Sequence, residues 1–294
     1  MKTERGTQIR LRLRLARELA RQGFDIARNG QQNCQSLVKA NFGEYATLVT
    51  GADQAVEKLI TLKIRSVFPA DGIIGEEGEE NNYGDSGFAW VIDPIDGTRN
   101  FSRGLDPWAV SIAIHYRGVP VAAAICMNGK LYSTHEALPH VLVGHKPLIP
   151  LPEAPPEKRC IGYEVFDWLP NGAELASQLW KLSPAGAVTL GGIIGTCLMV
   201  LEGRLDGVVH PGLALWDIAP IVLMAEKTGA VITRWDGTPC FPHIWDEVKK
   251  DLASYMRSSA RQLRFDIVCA RPEAHRTLLE FTKPHASYLE RMRA

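Results

Sequence analysis

No charge of one sign dominates this 294-residue chain: 33 Lys and Arg stand against 33 Asp and Glu, a formal net charge of zero. A general nucleic-acid or anionic-membrane binder leans on a net basic field, so the balance argues against both as partners. No apolar run approaches the ~18–20 residues that a bilayer-spanning helix needs, and the chain reads as soluble. Cys34, Cys126, Cys160, Cys197, Cys240 and Cys269 are scattered with no C-x-x-C spacing. Without a secretory signal they read as reduced, mostly buried thiols in a cytoplasmic protein. The eight histidines form no H-E-x-x-H pair, so neither residue type offers a zinc site. Repeats and low-complexity tracts are also missing, and 46% hydrophobic with 22% charged residues argues against wholesale disorder.

The length fits one large domain or two ordinary ones. Near the N-terminus, Arg5, Arg10, Arg12, Arg14, Arg17 and Arg21 would suit an organelle transit peptide, but Glu4 and Glu18 interrupt them. Leu15, Leu19 and Ile26, with Ala16, Ala20, Gly23 and Ala27, share one stripe and predict a folded first helix. Thr50-Gly51-Ala52-Asp53 opens a second, along which Val56, Leu59, Ile60, Lys63 and Val67 keep helical spacing until Pro69. An acidic loop over 76–87 precedes a buried strand at 88–92, and 109–115 and 120–127 predict a hairpin turning at Arg117-Gly118. Pro147, Pro150, Pro152, Pro155 and Pro156 exclude a helix or central strand there, which sets subdomains at 1–146 and 147–294. In the second half, strands at 208–209 and 230–233 mix with helices at 174–180, 192–201 and 216–227, while 240–262 reads as a peripheral segment.

The acids carry the chemistry. Glu76 and Glu77 follow Ile73-Ile74, Asp93 and Asp96 follow an apolar strand, and Asp217 lies between Trp216 and Ile218. Carboxylates so flanked belong at the edge of a core. Two of them ~4 Å apart repel by ~4 kcal/mol at an effective dielectric near 20, so they must separate, take up protons or bind cations. All-oxygen ligands favour hard ions such as Mg²⁺. Taken singly, each acid reads first as a solvated loop end or a helix cap. The joint spacing of Asp93-Pro94-Ile95-Asp96-Gly97-Thr98 is different: Pro94 stiffens the turn, and Gly97 permits close backbone approach. A helix starting there would aim free N–H groups at a phosphate, which together with cations points to phosphoryl chemistry. Thr50-x-x-Asp53 is also an ordinary capping box.

Gly75-Glu76-Glu77, the run from Trp90 through Asp93 and Asp96 to Phe101, and Trp216-Asp217-Ile218-Ala219 resemble, in order, the signature blocks of the inositol monophosphatase family. Thr50 to Asp53 fits its Thr-x-x-Asp element, and the resemblance covers roughly residues 45–233. It implies a layered αβαβα sandwich of the sugar-phosphatase type, with an N-terminal α+β half and a C-terminal α/β half. It further implies about two to three Mg²⁺ ions. Glu76, Asp93 and the main-chain carbonyl of Ile95 would hold the first; Asp93, Asp96 and Asp217 the second; Glu76 would help to hold a weaker third. Thr98 with Asp53 would orient or deprotonate the attacking water, and the N–H groups of Gly97 and Thr98 would receive phosphate oxygens. Glu77 would support the ligands from behind, and Arg99 and Asn100 read as packing or capping. A homodimer and inhibition by lithium are implied as well.

The match weakens where the organic part of a substrate would lie. The family usually shows Arg-Ser-x-Gly-Ser-Ala-Ala; this chain has Val188-Thr189-Leu190-Gly191-Gly192-Ile193-Ile194. A glutamate often found seven residues before the last acid is here His210, which supplies no fixed negative charge or simply ends a strand. Gly192, Ile193 and His210 are therefore the candidate substrate contacts. The expectation is Mg²⁺-dependent hydrolysis of a small phosphate monoester, inositol monophosphate first. Fructose-1,6-bisphosphate, a 3′-phosphoadenosine nucleotide and histidinol phosphate are the alternatives. A non-catalytic metal-binding regulatory protein is the rival from another class, and a nuclease would need a basic track that the chain lacks.

Overall fold

The computed structural model describes residues 2–33, 35–42, 45–78, 81–163, 172–250 and 264–286. Helix α1 (Lys2–Gly30), the hairpin β1 (Ser36–Phe42) and β2 (Tyr45–Thr50), and helix α2 (Gly51–Val67) open the chain. Strands β3 (Asp71–Gly75), β4 (Asn82–Gly84) and β5 (Phe88–Asp96) lead to the short helix α3 (Thr98–Ser102). Then come β6 (Ala109–Tyr116), β7 (Val119–Met127), β8 (Lys130–His135), β9 (Leu142–Val143) and β10 (Lys146–Pro147). Beyond the proline-rich stretch lie β11 (Ile161–Tyr163), α4 (Gly172–Lys181), β12 (Ala187–Val188), α5 (Ile193–Leu201), β13 (Gly207–Leu213) and α6 (Leu215–Thr228). The last described elements are β14 (Val231–Thr233), α7 (His243–Lys250), β15 (Phe265–Ala270) and α8 (Pro272–Thr282).

An eight-stranded sheet in the order β10-β9-β8-β7-β6-β5-β3-β4 is antiparallel except where β3 runs parallel to β5. Side-chain alternation assigns its two faces. Phe88, Trp90 and Ile92, with Val110, Ile112 and Ile114, bury against α1 and α2. Ala89 and Val91, with Ala109, Ala113, Ala123 and Ile125, bury against α5 and α6. A five-stranded sheet, β12-β11-β13-β15-β14, covers the far side of α5 and α6, and α4 and α8 close its outer face. The layers are therefore αβαβα, as the resemblance implies.

Several local readings shift. The buried stripe of α1 is Ile9, Leu13, Ala16, Leu19, Ala20, Phe24 and Ala27; Leu15 is only half-buried, and Ile26 is 43% exposed. Arg12 lies on that stripe, which is why the apolar pattern is out of phase. On α2 the buried positions are Asp53, Val56, Glu57, Ile60 and Ile64, and Val67 faces outward. The 76–87 loop contains β4, paired with the edge of β3. The start of the 240–262 segment is not peripheral, because Cys240, Ile244, Trp245 and Val248 enter the central core; 251–262 lie outside the described residues. Cys126, Cys160, Cys197, Cys240 and Cys269 are free thiols, and Cys34 lies outside the description.

The Trp245 ring lies edge-on to Tyr83, with centroids 5.3 Å apart, and tilted against His115 at 4.9 Å, whose ring also meets Phe241. His115 is fully buried, and neither ring nitrogen has a hydrogen-bond partner among the described residues. Burial lowers its pKa from 6.5 to about 3. The unfolded imidazole therefore takes up a proton that the folded one refuses. The resulting proton-linked penalty on folding is absent above pH 6.5 and grows as pH falls toward 3. His115→Leu should flatten part of that acid limb and, by removing two unpaired nitrogens, add about 1–3 kcal/mol at pH 7. Urea melts of both proteins from pH 4 to 8 check this; parallel curves for the two would contradict it.

Candidate metal and phosphate site

Parallel pairing of β3 with β5 sets Gly75, the last residue of β3, beside Ile92. The Glu76 N–H donates to the Ile92 carbonyl at 3.2 Å, and Glu76 enters the site next to Asp93. Along β5 the pairing with β6 slips: Asp93 faces Ser111, yet Asp96 faces Ala109, one extra residue on β5. Pro94, which has no N–H to give the ladder, lies in this bulge. Without the extra residue, Asp93 and Asp96 would point to opposite faces. With it, both face α5 and α6, while Ile95 buries toward α1.

Two helix N-termini meet them there. On α6, the Ala214 N–H donates to Asp217 Oδ2 at 2.7 Å, a backbone cap that aims the carboxylate. At the start of α5, the Gly195 N–H donates to Asp96 Oδ2 at 3.2 Å. Gly192 is needed for this approach, because a Cβ there would stand 2.9 Å from the same oxygen. Carboxylate oxygens of Asp93, Asp96 and Asp217 lie within 4.8 Å of one another. Asp93 Oδ1 is buried and has no hydrogen-bond partner among the described residues.

Burial first, then the charges of Glu76, Asp96, Asp217 and Asp53, push the Asp93 carboxyl well above its usual range. Burial raises Asp217 to about 6 against the opposing pull of Arg264 and the Ala214 N–H. Such a cluster of hard oxygens, one of them unsatisfied, fits a divalent cation of the Mg²⁺ kind, and no His or Cys of the described residues joins it.

Asp53 sits beside the cluster on α2. Its Oδ2 accepts the Thr50 N–H at 2.8 Å and the Thr50 hydroxyl at 2.5 Å, completing the capping box. Its other oxygen lies 3.4 Å from Thr98 Oγ1, so the capping role leaves one carboxylate oxygen for Thr98. The Thr98 hydroxyl donates at 3.0 Å to the Ile95 carbonyl. Burial raises Asp53 to about 6. Gly97, at φ 82°, supplies the left-handed turn that starts α3. Asn100 then ties that corner to the second half, donating to the carbonyls of Pro107 at 2.8 Å and Leu190 at 2.6 Å.

Of the candidate substrate contacts, Gly192 lies against Asp96. The Ile193 side chain, 6% exposed, packs in the central core. At His210, Nδ1 accepts the Gly212 N–H at 3.0 Å, and burial lowers the ring pKa to about 3. The neutral ring therefore carries its proton on Nε2 and offers a donor there. Leu213 pairs with Phe265, which sets Arg264 beside the Asp217 cap, and its charge acts on both Asp217 and His210. The sequence reading missed Arg264, Gly195 and Glu57. Only Glu57 left a signal, lying one helical turn after Asp53.

Comparison with known proteins shows what the whole chain is similar to. The chain is 32% identical over 201 residues to the phosphatase IMPL1, chloroplastic, of Arabidopsis thaliana, covering 65% of this chain and 54% of that protein's length. It is 29% identical over 210 residues to the histidinol-phosphatase of Mycobacterium tuberculosis, covering 65% and 75%. The solved IMPase of Thermotoga maritima superposes with a TM-score of 0.75 at 20% identity, over 95% of this chain and 99% of that one. An IMPase/NADP phosphatase of the same fold, with a TM-score of 0.70 at 18% identity over 87% and 89% of the two chains, was solved with Mg²⁺ and phosphate. The class these define is a phosphoric monoester hydrolase. A sequence profile of the inositol monophosphatase family matches residues 9–267, and the chain belongs to that family.

Proposed function

We propose that this chain hydrolyses a small phosphate monoester in a Mg²⁺-dependent reaction, with inositol monophosphate or a related sugar or polyol phosphate as substrate. The convergence of Asp93, Asp96 and Asp217 around an unsatisfied Asp93 oxygen carries the proposal. Glu76, Asp93 and the Ile95 carbonyl would hold one ion and Asp93, Asp96 and Asp217 another, with Glu76 contributing to a weaker third. Bound Mg²⁺ supplies charge neutralisation at the phosphate oxygens and a more acidic water. Asp53 and Thr98 would orient the attacking water: the Thr98 hydroxyl lies between the Asp53 carboxylate and the Ile95 carbonyl, so its proton has two acceptors and its lone pairs remain for the nucleophile. The N–H groups of Gly97 and Thr98 receive phosphate oxygens. We further propose a homodimer, a subdomain boundary at residue 146, and a reducing, cytoplasmic compartment, which the free thiols support.

Phosphate release from a panel of monoesters, with Mg²⁺ and with EDTA, tests the reading. Release that needs Mg²⁺ is expected. Its absence across the panel, despite metal binding, would leave the non-catalytic regulatory alternative.

His210 and Arg264 favour a second reading of the substrate. A cation whose charge acts on Asp217, with a donor on His210 close to that cation, suits a second anionic group, as in fructose-1,6-bisphosphate or a 3′-phosphoadenosine nucleotide, better than the ammonium of histidinol phosphate. Arg264→Gln should then lower kcat/KM for a bisphosphate about 10-fold relative to glycerol phosphate, the loss of one charge-assisted contact. Equal losses on both substrates would reject this second reading.

A further inference from the structure

Glu76 follows β3 on the loop to β4, its N–H bonded to the Ile92 carbonyl next to Asp93, and two side chains outside the proposed ligand set hold that loop. Glu57, on α2, is 4% exposed, and its Oε2 accepts the Glu77 N–H at 2.8 Å. The backbone before Glu76 passes directly over this carboxylate: a Cβ on Gly75 would fall 2.2 Å from Glu57 Oε1, and one on Gly78 would fall 2.9 Å from it. Asn81 grips the same turn from its other end. Its Oδ1 accepts the Gly75 N–H at 2.7 Å, and its Nδ2 donates to the carbonyls of Gly75 at 3.1 Å and Gly78 at 3.0 Å. The residues on both sides of Glu76 are thus pinned to side chains and not only to the sheet.

We propose that Glu57 and Asn81 are positioning residues that fix the reach of Glu76 and so set the affinity of the site for a divalent cation. The inference rests on the reading of Glu76 as a metal ligand. An unpinned loop would have to be ordered each time an ion binds, and that ordering cost appears as lost affinity. Asp53 and Glu57 lie one turn apart on α2, so a single helix face sets both the Thr98 contact and the Glu76 loop.

The test uses Mn²⁺ as the probe, titrated into the full chain and followed by the EPR signal of the free ion, with a thermal melt of each protein in EDTA. Groups that orient ligands commonly cost about 10–100-fold in metal affinity when removed, and that loss is expected for Glu57→Ala and for Asn81→Ala. Glu57→Gln keeps an acceptor oxygen for the Glu77 N–H and should stay within about threefold of the parent. Asn82→Ala removes a β4 side chain that accepts the Gly84 N–H at 3.2 Å, and should leave Mn²⁺ affinity unchanged. Parent-like Mn²⁺ binding by a folded Glu57→Ala or Asn81→Ala protein would overturn the proposal. If Glu57→Ala does not fold, Asn81→Ala decides alone. Failure of the underlying metal reading is separately visible: the parent would then bind no Mn²⁺, or Asp93→Asn would bind it as tightly as the parent.

Discussion

Asp93→Asn should release phosphate at least about 1,000-fold more slowly than the parent and yet melt at a higher temperature in EDTA. Both effects come from one carboxylate. Asp93 would belong to both ion sites, so an amide in its place leaves each short of a negative oxygen, and the loss falls on the transition state rather than on substrate binding alone. Without metal the same carboxylate is a burden. It is buried, its Oδ1 is unsatisfied among the described residues, and one of its oxygens lies within 4.8 Å of a carboxylate oxygen of Asp96 and of Asp217. One like-charge contact at that separation costs about 3–4 kcal/mol at an effective dielectric near 20. Removing it should raise the metal-free midpoint by several degrees, at about 2–4 °C per kcal/mol for chains near this size. Saturating Mg²⁺ should reverse the order of the two midpoints, because only the parent gains from binding. An active Asp93→Asn protein would reject the catalytic assignment, and one that melts lower in EDTA would reject the account of the metal-free cluster.

The largest expected loss of stability lies at the opposite end of β3. Asp71 accepts from Arg12 through both oxygens, at 2.7 and 2.8 Å, from the Trp90 indole N–H at 2.8 Å and from the Ser86 hydroxyl at 2.7 Å. The guanidinium lies between the rings of Phe68 and Phe88, 4.2 and 3.8 Å from their centroids. Both charges are nearly inaccessible, with side-chain exposures of 6% for Arg12 and 1% for Asp71. Asp71→Ala therefore strands a buried cation and an indole donor, and should cost about 3–5 kcal/mol in urea unfolding. Replacing both partners, as Arg12→Met with Asp71→Leu, should recover most of that loss, because no buried charge is left uncompensated. A single-variant loss below about 1 kcal/mol would show that the pair matters far less to folding than its burial implies.

Much of this was legible in the chain, and the failures share a cause. The apolar run into Asp93, the hairpin at Arg117-Gly118 and the α2 cap at Thr50 are local patterns, and local patterns survive folding. What sequence order hides is partnership across the layers. Arg12 on a buried stripe misphased the first helix because its counter-ion is 59 residues away. Trp245 looked like part of a peripheral segment because its neighbours Tyr83 and His115 belong to the first half of the chain. The acids of the central block announced a cation site, but the means of holding them did not: the Gly195 N–H on Asp96 and the carboxylate of Glu57 under Gly75 depend on which helix N-terminus and which helix face arrive there.

The slipped pairing on β5 makes spacing itself a heritable constraint. Between the first and second aspartate, many exchanges of side chain leave the count intact, whereas dropping or gaining a single codon swings the second acid through half a revolution, away from its companions. Variation along that stretch should therefore consist of substitutions and not of length changes, even at positions whose own atoms touch nothing reactive.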